Sequence, residues 1–187
     1  RQLELDKPIV CAINGDCVGL AATHALLSDI TVMSEDARIG DSHVNKVGLV
    51  AGDGSTAIWP LLIGVNKAKE YLMRGTLLNG REAERIGLVS QAVPDDELDA
   101  AVQRLADRMK GVPKNQLWMQ KTAINSAFDN MGMRTTQTLA TLFDGMTRHS
   151  PEGLWFKQRA QEAGFHQAVA ERDSGEPILG SKPPRTD

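Results

Sequence analysis

The chain has 187 residues, a net charge of −3, 41% hydrophobic residues and 24% charged residues, the composition of a soluble chain long enough to bury one real core. Aromatic residues make up only 4%, and no basic stripe interrupts the mild acidity, which excludes an ordinary nucleic-acid surface. No apolar run is long enough to cross a bilayer, so neither nucleic acid nor membrane is an expected partner.

The opening Arg1-Gln2-Leu3-Glu4-Leu5-Asp6 is no signal peptide. It reads as the tail of a helix entering a strand, which points to the C-terminal part of a longer protein. Residues 7–15 form a nearly continuous apolar run closed by Asn14-Gly15, the pattern of a strand buried on both faces. Cys11 and Cys17 are wrongly spaced for a metal site or a disulfide framework. They read as buried free thiols in a reducing, cytoplasmic setting, and no metal site is expected. Residues 18–27 are small, apolar and Ala-rich, as in a tightly packed helix. Asp29-Ile30-Thr31-Val32-Met33 is β-rich and ends at the turn Ser34-Glu35-Asp36. Strand, helix and strand in about 30 residues predict a βαβ unit.

Residues 40–55 are irregular, with Gly40, Gly48, Gly52 and Gly54 among Asp41, His43, Asp53 and Ser55. Asp41 reads as a turn residue. Asn66 is a candidate cap for a helix running to Arg74, with Gly75 just past its end. Asn79-Gly80-Arg81-Glu82 resembles a capping box opening a helix to Ile86, and residues 88–93 read as a strand stopped by Pro94. Beyond this the pattern is helical to about Ala170. Leu98, Val102, Leu105 and Met109 make one stripe; Ala123, Ile124, Ala127, Phe128 and Met131 a second; Leu139, Leu142, Phe143 and Met146 a third. These stripes fit either the second half of a core or a subunit interface. Ser150-Pro151 opens a last helix, with Ser as cap and Pro at the first helical position. The chain therefore divides into an α/β front, residues 1–94, a helical back, 95–172, and a loose Gly-, Pro- and Ser-rich tail, 173–187.

The front carries several marks in order. Residues 7–15 resemble the strand "KPVIAAVNG" of the enoyl-CoA hydratase/isomerase (crotonase) family. Val18-Gly19-Leu20-Ala21-Ala22 stands where that family has "LGGG", and Ser28-Asp29-Ile30 is similar to its "CDI". Ser34-Glu35-Asp36-Ala37-Arg38-Ile39-Gly40 resembles "SEDAKFG", residues 48–55 resemble "GLIPGAGG", and residues 83–89 resemble "EALRIGLV". In the back, Glu152-Gly153 resembles the family's "EG" ahead of its final helix. No single motif decides, but their order and spacing identify the chain as a member over residues 7–165. The resemblance implies an α/β crotonase-like ββα spiral core with a helical C-terminal region that serves oligomerisation and pocket closure. It implies a homotrimer or dimer of trimers, and an acyl-CoA thioester as substrate. No separate cofactor is implied, because coenzyme A arrives as part of the substrate. The family's usual N-terminal region, which supplies the other oxyanion donor and part of the coenzyme A groove, is not matched in this chain.

The resemblance also implies the chemistry. Charge developing on a thioester enolate oxygen is best met by preorganised backbone donors, each worth roughly 3–4 kcal/mol. The Leu20 N–H stands at the donor position, beside Gly19; read without the family, Leu20 is a core residue. Hydratases hold a water between two carboxylates, and here those positions fall on Thr23 and His43. A hydroxyl cannot carry the proton at neutral pH, whereas an imidazole can. Asp53, in the Gly52–Gly54 turn, is the other candidate acid or base, and alternatively a cap for the helix starting near Ser55. Thr23, His43 and Asp53 are thus the catalytic candidates. Asp16, ahead of the Gly run, is a candidate to face the pocket with Gly19 and Gly52. Lys157 and Arg159, on the last helix, are candidates for the coenzyme A phosphates. His24 is expected to point elsewhere on its helix. The implied function is an acyl-CoA-processing hydratase/isomerase-like enzyme. The alternatives are a His/Asp-assisted isomerase, C–C hydrolase or decarboxylase, or a non-catalytic acyl-CoA binder.

Overall fold

The computed structural model describes residues 2–44, 49–174 and 176. Residues 45–48, Gly48 of the irregular stretch among them, and most of the predicted loose tail lie outside the described residues. In chain order the elements are β1 (Val10–Ile13), β2 (Cys17–Val18), α1 (Leu20–Leu26), β3 (Ile30–Ser34), β4 (Arg38–Gly40), α2 (Ser55–Ile63), α3 (Val65–Arg74), β5 (Leu78–Asn79), α4 (Gly80–Arg85) and β6 (Gln91–Val93). Then come α5 (Leu98–Lys110), α6 (Lys114–Asn130), α7 (Met133–Thr147), α8 (Pro151–Ala163) and α9 (Phe165–Asp173).

Two three-stranded sheets form among the described residues, in the orders β1-β3-β6 and β2-β4-β5. The first is wholly parallel, with α1 in the crossover from β1 to β3, as the βαβ pattern predicts. The second pairs β2 and β4 in parallel and β4 and β5 antiparallel. Strand β3 is central, and both its faces are covered. Met33 points into the main core with Ile39, Ile58 and Trp59, while its neighbour Val32 points the other way against Val93, Leu98 and Ala101. The expectation of a doubly buried strand at residues 7–15 is corrected: the strand is Val10–Ile13, at one end of its sheet among the described residues, and its Ala12 is exposed. Cys17 is buried, and burial, with the neighbouring Cys11, pushes its thiol up to about 11, which makes it an unreactive packing residue.

Local capping follows the sequence in part. The Asn79 side chain accepts from the Glu82 N–H at 2.9 Å to start α4, and Gly75 ends α3 in the left-handed region. Ser150 accepts from the Gly153 N–H, with Pro151 opening α8. Asn66 does not cap α3; the helix starts one residue earlier, from Gly64, without a side-chain cap. The single last helix is two helices, because Gly164 at φ +85° breaks the run between α8 and α9.

The three stripes part ways. The first packs onto the sheet through Leu98, Val102 and Leu105. Much of the second and third is open on this chain: Ile124, Met131, Leu139, Leu142, Phe143 and Met146 are all exposed. Helix α6 is nevertheless anchored by one buried charge. Lys121 Nζ lies 2.7 Å from Asp29 Oδ2 and also donates to the carbonyl oxygens of Lys7 and Gln2. Asp29 accepts the Ile9 N–H at 2.7 Å as well, so the pair ties α6 to the chain entering β1 and β3. Lys121→Met is expected to lower stability by about 3–5 kcal/mol, since it leaves the Asp29 carboxylate facing the interior without its counter-ion. Urea unfolding measures this, and a loss under about 1 kcal/mol would place the pair with ordinary surface bridges.

Candidate active site

The site starts where β4 ends. Asp41 follows Gly40 directly and is almost fully buried, and Gly40 accepts the Gly19 N–H at 3.0 Å, which holds the start of α1 beside the end of β4. Asp41 Oδ1 receives the His43 backbone N–H at 3.0 Å and lies 2.7 Å from His43 Nδ1. Its other oxygen accepts from the Ser55 hydroxyl at 2.7 Å, at the first turn of α2. Both carboxylate oxygens of Asp41 are therefore used, and the His43 ring is fixed by one of them. Across from this pair stands Asp53, with Oδ2 4.0 Å from His43 Nε2, a distance for charge attraction rather than a hydrogen bond.

Asp41 was read as a turn residue; the fold makes it the partner of His43. An Asp two residues before a His in a polar Gly-rich loop carries that signal, since Asp side chains turn back onto the backbone two residues on. Asp53 does not cap α2. The cap position is Gly54, at φ +120°, with no side-chain bond, and neither buried Asp53 oxygen has a hydrogen-bond partner among the described residues.

Electrostatics divide these three groups. Burial would push the Asp41 carboxyl up, but the hydrogen bond and charge of His43, with the His43 N–H and the Ser55 hydroxyl, outweigh it, so Asp41 sits below its ordinary range. The bond to Asp41 raises His43 against burial, helped by the charges of Asp41, Asp53 and Asp144. Asp53 is raised by burial and by the Asp41 charge, only partly offset by the His43 charge and by the nearby backbone N–H groups of Ser55 and Asp53 itself. An ionised Asp41 is an acceptor only, so Nδ1 carries the proton and Nε2 is left as the basic nitrogen facing Asp53.

A cavity of about 380 Å³ borders this cluster, lined by Val18, Gly19, Leu20, Ser42, His43, Asp53 and Arg172. Gly19 adopts φ +62°, and a Cβ there would stand 3.3 Å from His43 Cε1 and 3.4 Å from Asp53 Oδ2, so the Gly19–Leu20 peptide borders the cluster. Leu20 opens α1, where the backbone N–H has no acceptor within the helix, and none is found among the described residues. Its side chain is exposed rather than in the core. Asp53 also lines a second cavity of about 390 Å³, with Thr23, Leu27, Gly54, Ala57, Ile58, Met133 and Gln137 among its walls. Thr23 therefore lies beyond Asp53 and is not among the residues that line the His43 cavity. Gly52 holds the turn: its carbonyl accepts from Gln137 Nε2 at 2.7 Å, and Asp144 of α7 packs where its side chain would be.

The remaining candidates stand apart. Asp16 forms an exposed pair with Arg38 and borders a different cavity, shared with His24. Arg159 is engaged by both Glu171 oxygens at 2.7 Å, so its guanidinium is not presented to a phosphate. Lys157 is exposed on α8. Asp41, His43 and Asp53 offer ligand atoms all within 4.8 Å of one another, a set one divalent cation could gather, although both Asp41 oxygens are already engaged.

The architecture is that of the crotonase fold. An enoyl-CoA hydratase from Mycobacterium smegmatis superposes with a TM-score of 0.85 at 36% identity, over 97% of this chain and 62% of that one. The enoyl-CoA hydratase/isomerase family profile matches residues 1–163, and the chain belongs to that family. Crotonyl-CoA hydratase of Syntrophomonas wolfei is 33% identical over 168 residues, 90% of this chain and 61% of the relative. The 1,2-epoxyphenylacetyl-CoA isomerase of Escherichia coli is 34% identical over 130 residues, 70% of this chain and 49% of the relative. The chain spans about half the length of the curated relatives it matches.

Proposed function

We propose that the protein processes acyl-CoA thioesters, with His43 as the base, Asp41 as the residue that positions it and the Leu20 N–H as a donor to the enolate oxygen. The observation that carries this reading is the convergence of the Asp41-held His43 ring, Asp53 and the start of α1 on one cavity. His43 Nε2 takes a proton from the carbon next to the thioester, or from a water whose oxygen bonds to the β-carbon of an enoyl group as its C=C bond opens, and becomes imidazolium. Asp41 and Asp53 stabilise that cation. The electron pair moves onto the thioester oxygen, where a preorganised N–H meets the charge. The proton then returns from Nε2 to the product carbon. Asp53 is held above the ordinary carboxylate range, and its unpartnered oxygens suit it to a second proton transfer at the same centre.

A His held by Asp41, with Asp53 across from its free nitrogen, favours a proton shuttle, as in isomerisation, C–C hydrolysis or decarboxylation, over water held between two carboxylates. The experiment is to incubate the full-length protein with a panel of enoyl-CoA and 3-oxoacyl-CoA thioesters and to identify the products by mass. Product from none of them, with binding retained, would leave the non-catalytic binder in place of the enzyme. Assembly into a homotrimer or dimer of trimers belongs to the same reading, as does a place in cytoplasmic fatty-acid metabolism. The exposed apolar side chains of α6 and α7 support assembly, because a lone chain would leave them in water. Sedimentation across a concentration series is expected to show an oligomer; a monomer throughout would overturn it.

A further inference from the structure

The second cavity holds an unexplained polar group. Thr23 is 4% exposed, and its hydroxyl has no hydrogen-bond partner among the described residues. A helical Thr ordinarily donates to the carbonyl one turn back. In α7, Thr138, Thr141 and Thr147 each do so at 2.9 Å, onto Arg134, Gln137 and Phe143. Thr23 does not, and it borders the cavity with Asp53, whose two oxygens are likewise unpartnered. Gln137 completes the group. Its Nε2 is committed to the Gly52 carbonyl, which turns Oε1 the other way. Thr23 Oγ1 and Gln137 Oε1 both lie 3.5 Å from the point where a Cβ on Gly54 would stand. Gly54 has none, and its φ of +120° disfavours any residue that would.

One hydroxyl donor, Thr23, thus faces a cavity with acceptors at Asp53 and Gln137; Glu4 and Arg134 also border it, while Leu27, Ala57, Ile58 and Met133 supply apolar wall. Buried polar groups left unmade are costly, so such a cluster is matched by a ligand that bonds to it. A plain hydrocarbon chain would leave all three unmet. A hydroxyl meets Thr23 and one of the two acceptors, since it accepts from Thr23 while donating to Asp53 or Gln137. Thr23 lies three residues beyond Leu20, about 4.5 Å further along α1 at the helical rise. A chain whose thioester carbonyl sits at Leu20 would bring a group a few bonds further on to Thr23.

We infer that this cavity receives the acyl group, and that the acyl group it selects carries a hydroxyl on the chain beyond the reacting carbons, recognised by Thr23, Asp53 and Gln137. The inference rests on the acyl-CoA reading above and adds the substrate class. It makes Thr23 a specificity residue rather than a catalytic one.

The test is calorimetric binding of three saturated thioesters to the full-length protein: hexanoyl-CoA, and its derivatives hydroxylated at the terminal or the penultimate carbon. At least one hydroxylated compound is expected to bind about 10-fold tighter than hexanoyl-CoA, the worth of one to two net hydrogen bonds. In Thr23→Val, which keeps the shape and loses the hydroxyl, that ratio falls to near one, whereas Thr23→Ser keeps it. A wild-type ratio near one overturns the inference and leaves the acyl-CoA reading standing; water then occupies the polar cluster. A ratio that survives Thr23→Val also overturns it. Binding of none of the three sinks the acyl-CoA reading and this inference with it.

Discussion

Replacing His43 with Gln is expected to lower kcat by about 10²–10⁴, the usual worth of a positioned acid or base. Gln keeps the size and one hydrogen bond to Asp41 but cannot titrate, so the loss reports proton transfer rather than packing. The pH profile is the sharper readout. His43 works as a base only when neutral, and the bond to Asp41 favours its charged form, so its pKa stands above the ordinary 6.5. Activity must therefore rise with pH, through a midpoint above that value, as imidazolium is lost. In His43→Gln this limb should vanish along with most of the turnover. Wild-type turnover with an unchanged limb would make His43 structural, and the base would then be sought at Asp53.

Much of this arrangement was legible in the sequence, and what was not has physical reasons. The strand-helix-strand front, the cap at Asn79 and the start of α8 at Ser150 are local patterns, and local patterns survive folding. Asn66 failed because the backbone turned at Gly64, and a cap side chain acts only where the chain actually leaves the helix. The exposure of Ala12 on β1 is a matter of what packs on that face, which an apolar run does not encode. The exposed stripes of α6 and α7 look the same as core stripes, because periodicity reports a face and not what covers it.

The site divides in the same way. His43, Asp53, Gly19 and Leu20 were placed by resemblance to a family motif, and the fold brings them to one cavity. Asp41 was passed over because an Asp after a strand is common in turns. Only the burial of its side chain, and the Ser55 hydroxyl arriving from 14 residues along the chain, give it a second task. Thr23 matched a catalytic position by alignment, yet Thr23 and His43 border different cavities, with Asp53 common to both. Arg159 was expected to meet phosphate, but its Glu171 partner lies on α9, a helix that was not foreseen as separate.

Asp41→Asn is expected to cost about 10²–10⁴ in kcat, in the range seen when a His loses its orienting carboxylate. The geometry explains why a near-isosteric change should cost so much. Ionised Asp41 can only accept, which puts the imidazole proton on Nδ1 and frees Nε2. An Asn at 41 can present its NH₂ group to Nδ1 instead, which drives the proton to Nε2 and blocks the basic position. The substitution also removes the largest influence that raises His43, so the His43 pKa falls and the rising limb of the pH profile moves to lower pH. Reduced turnover with the limb moved down is thus the signature of a positioning carboxylate. Because Asp41 also receives the Ser55 hydroxyl and the His43 N–H, thermal unfolding is measured alongside to separate a looser loop from a mispositioned ring. A variant that melts earlier but keeps both the turnover and the limb would show that Asp41 only anchors the loop.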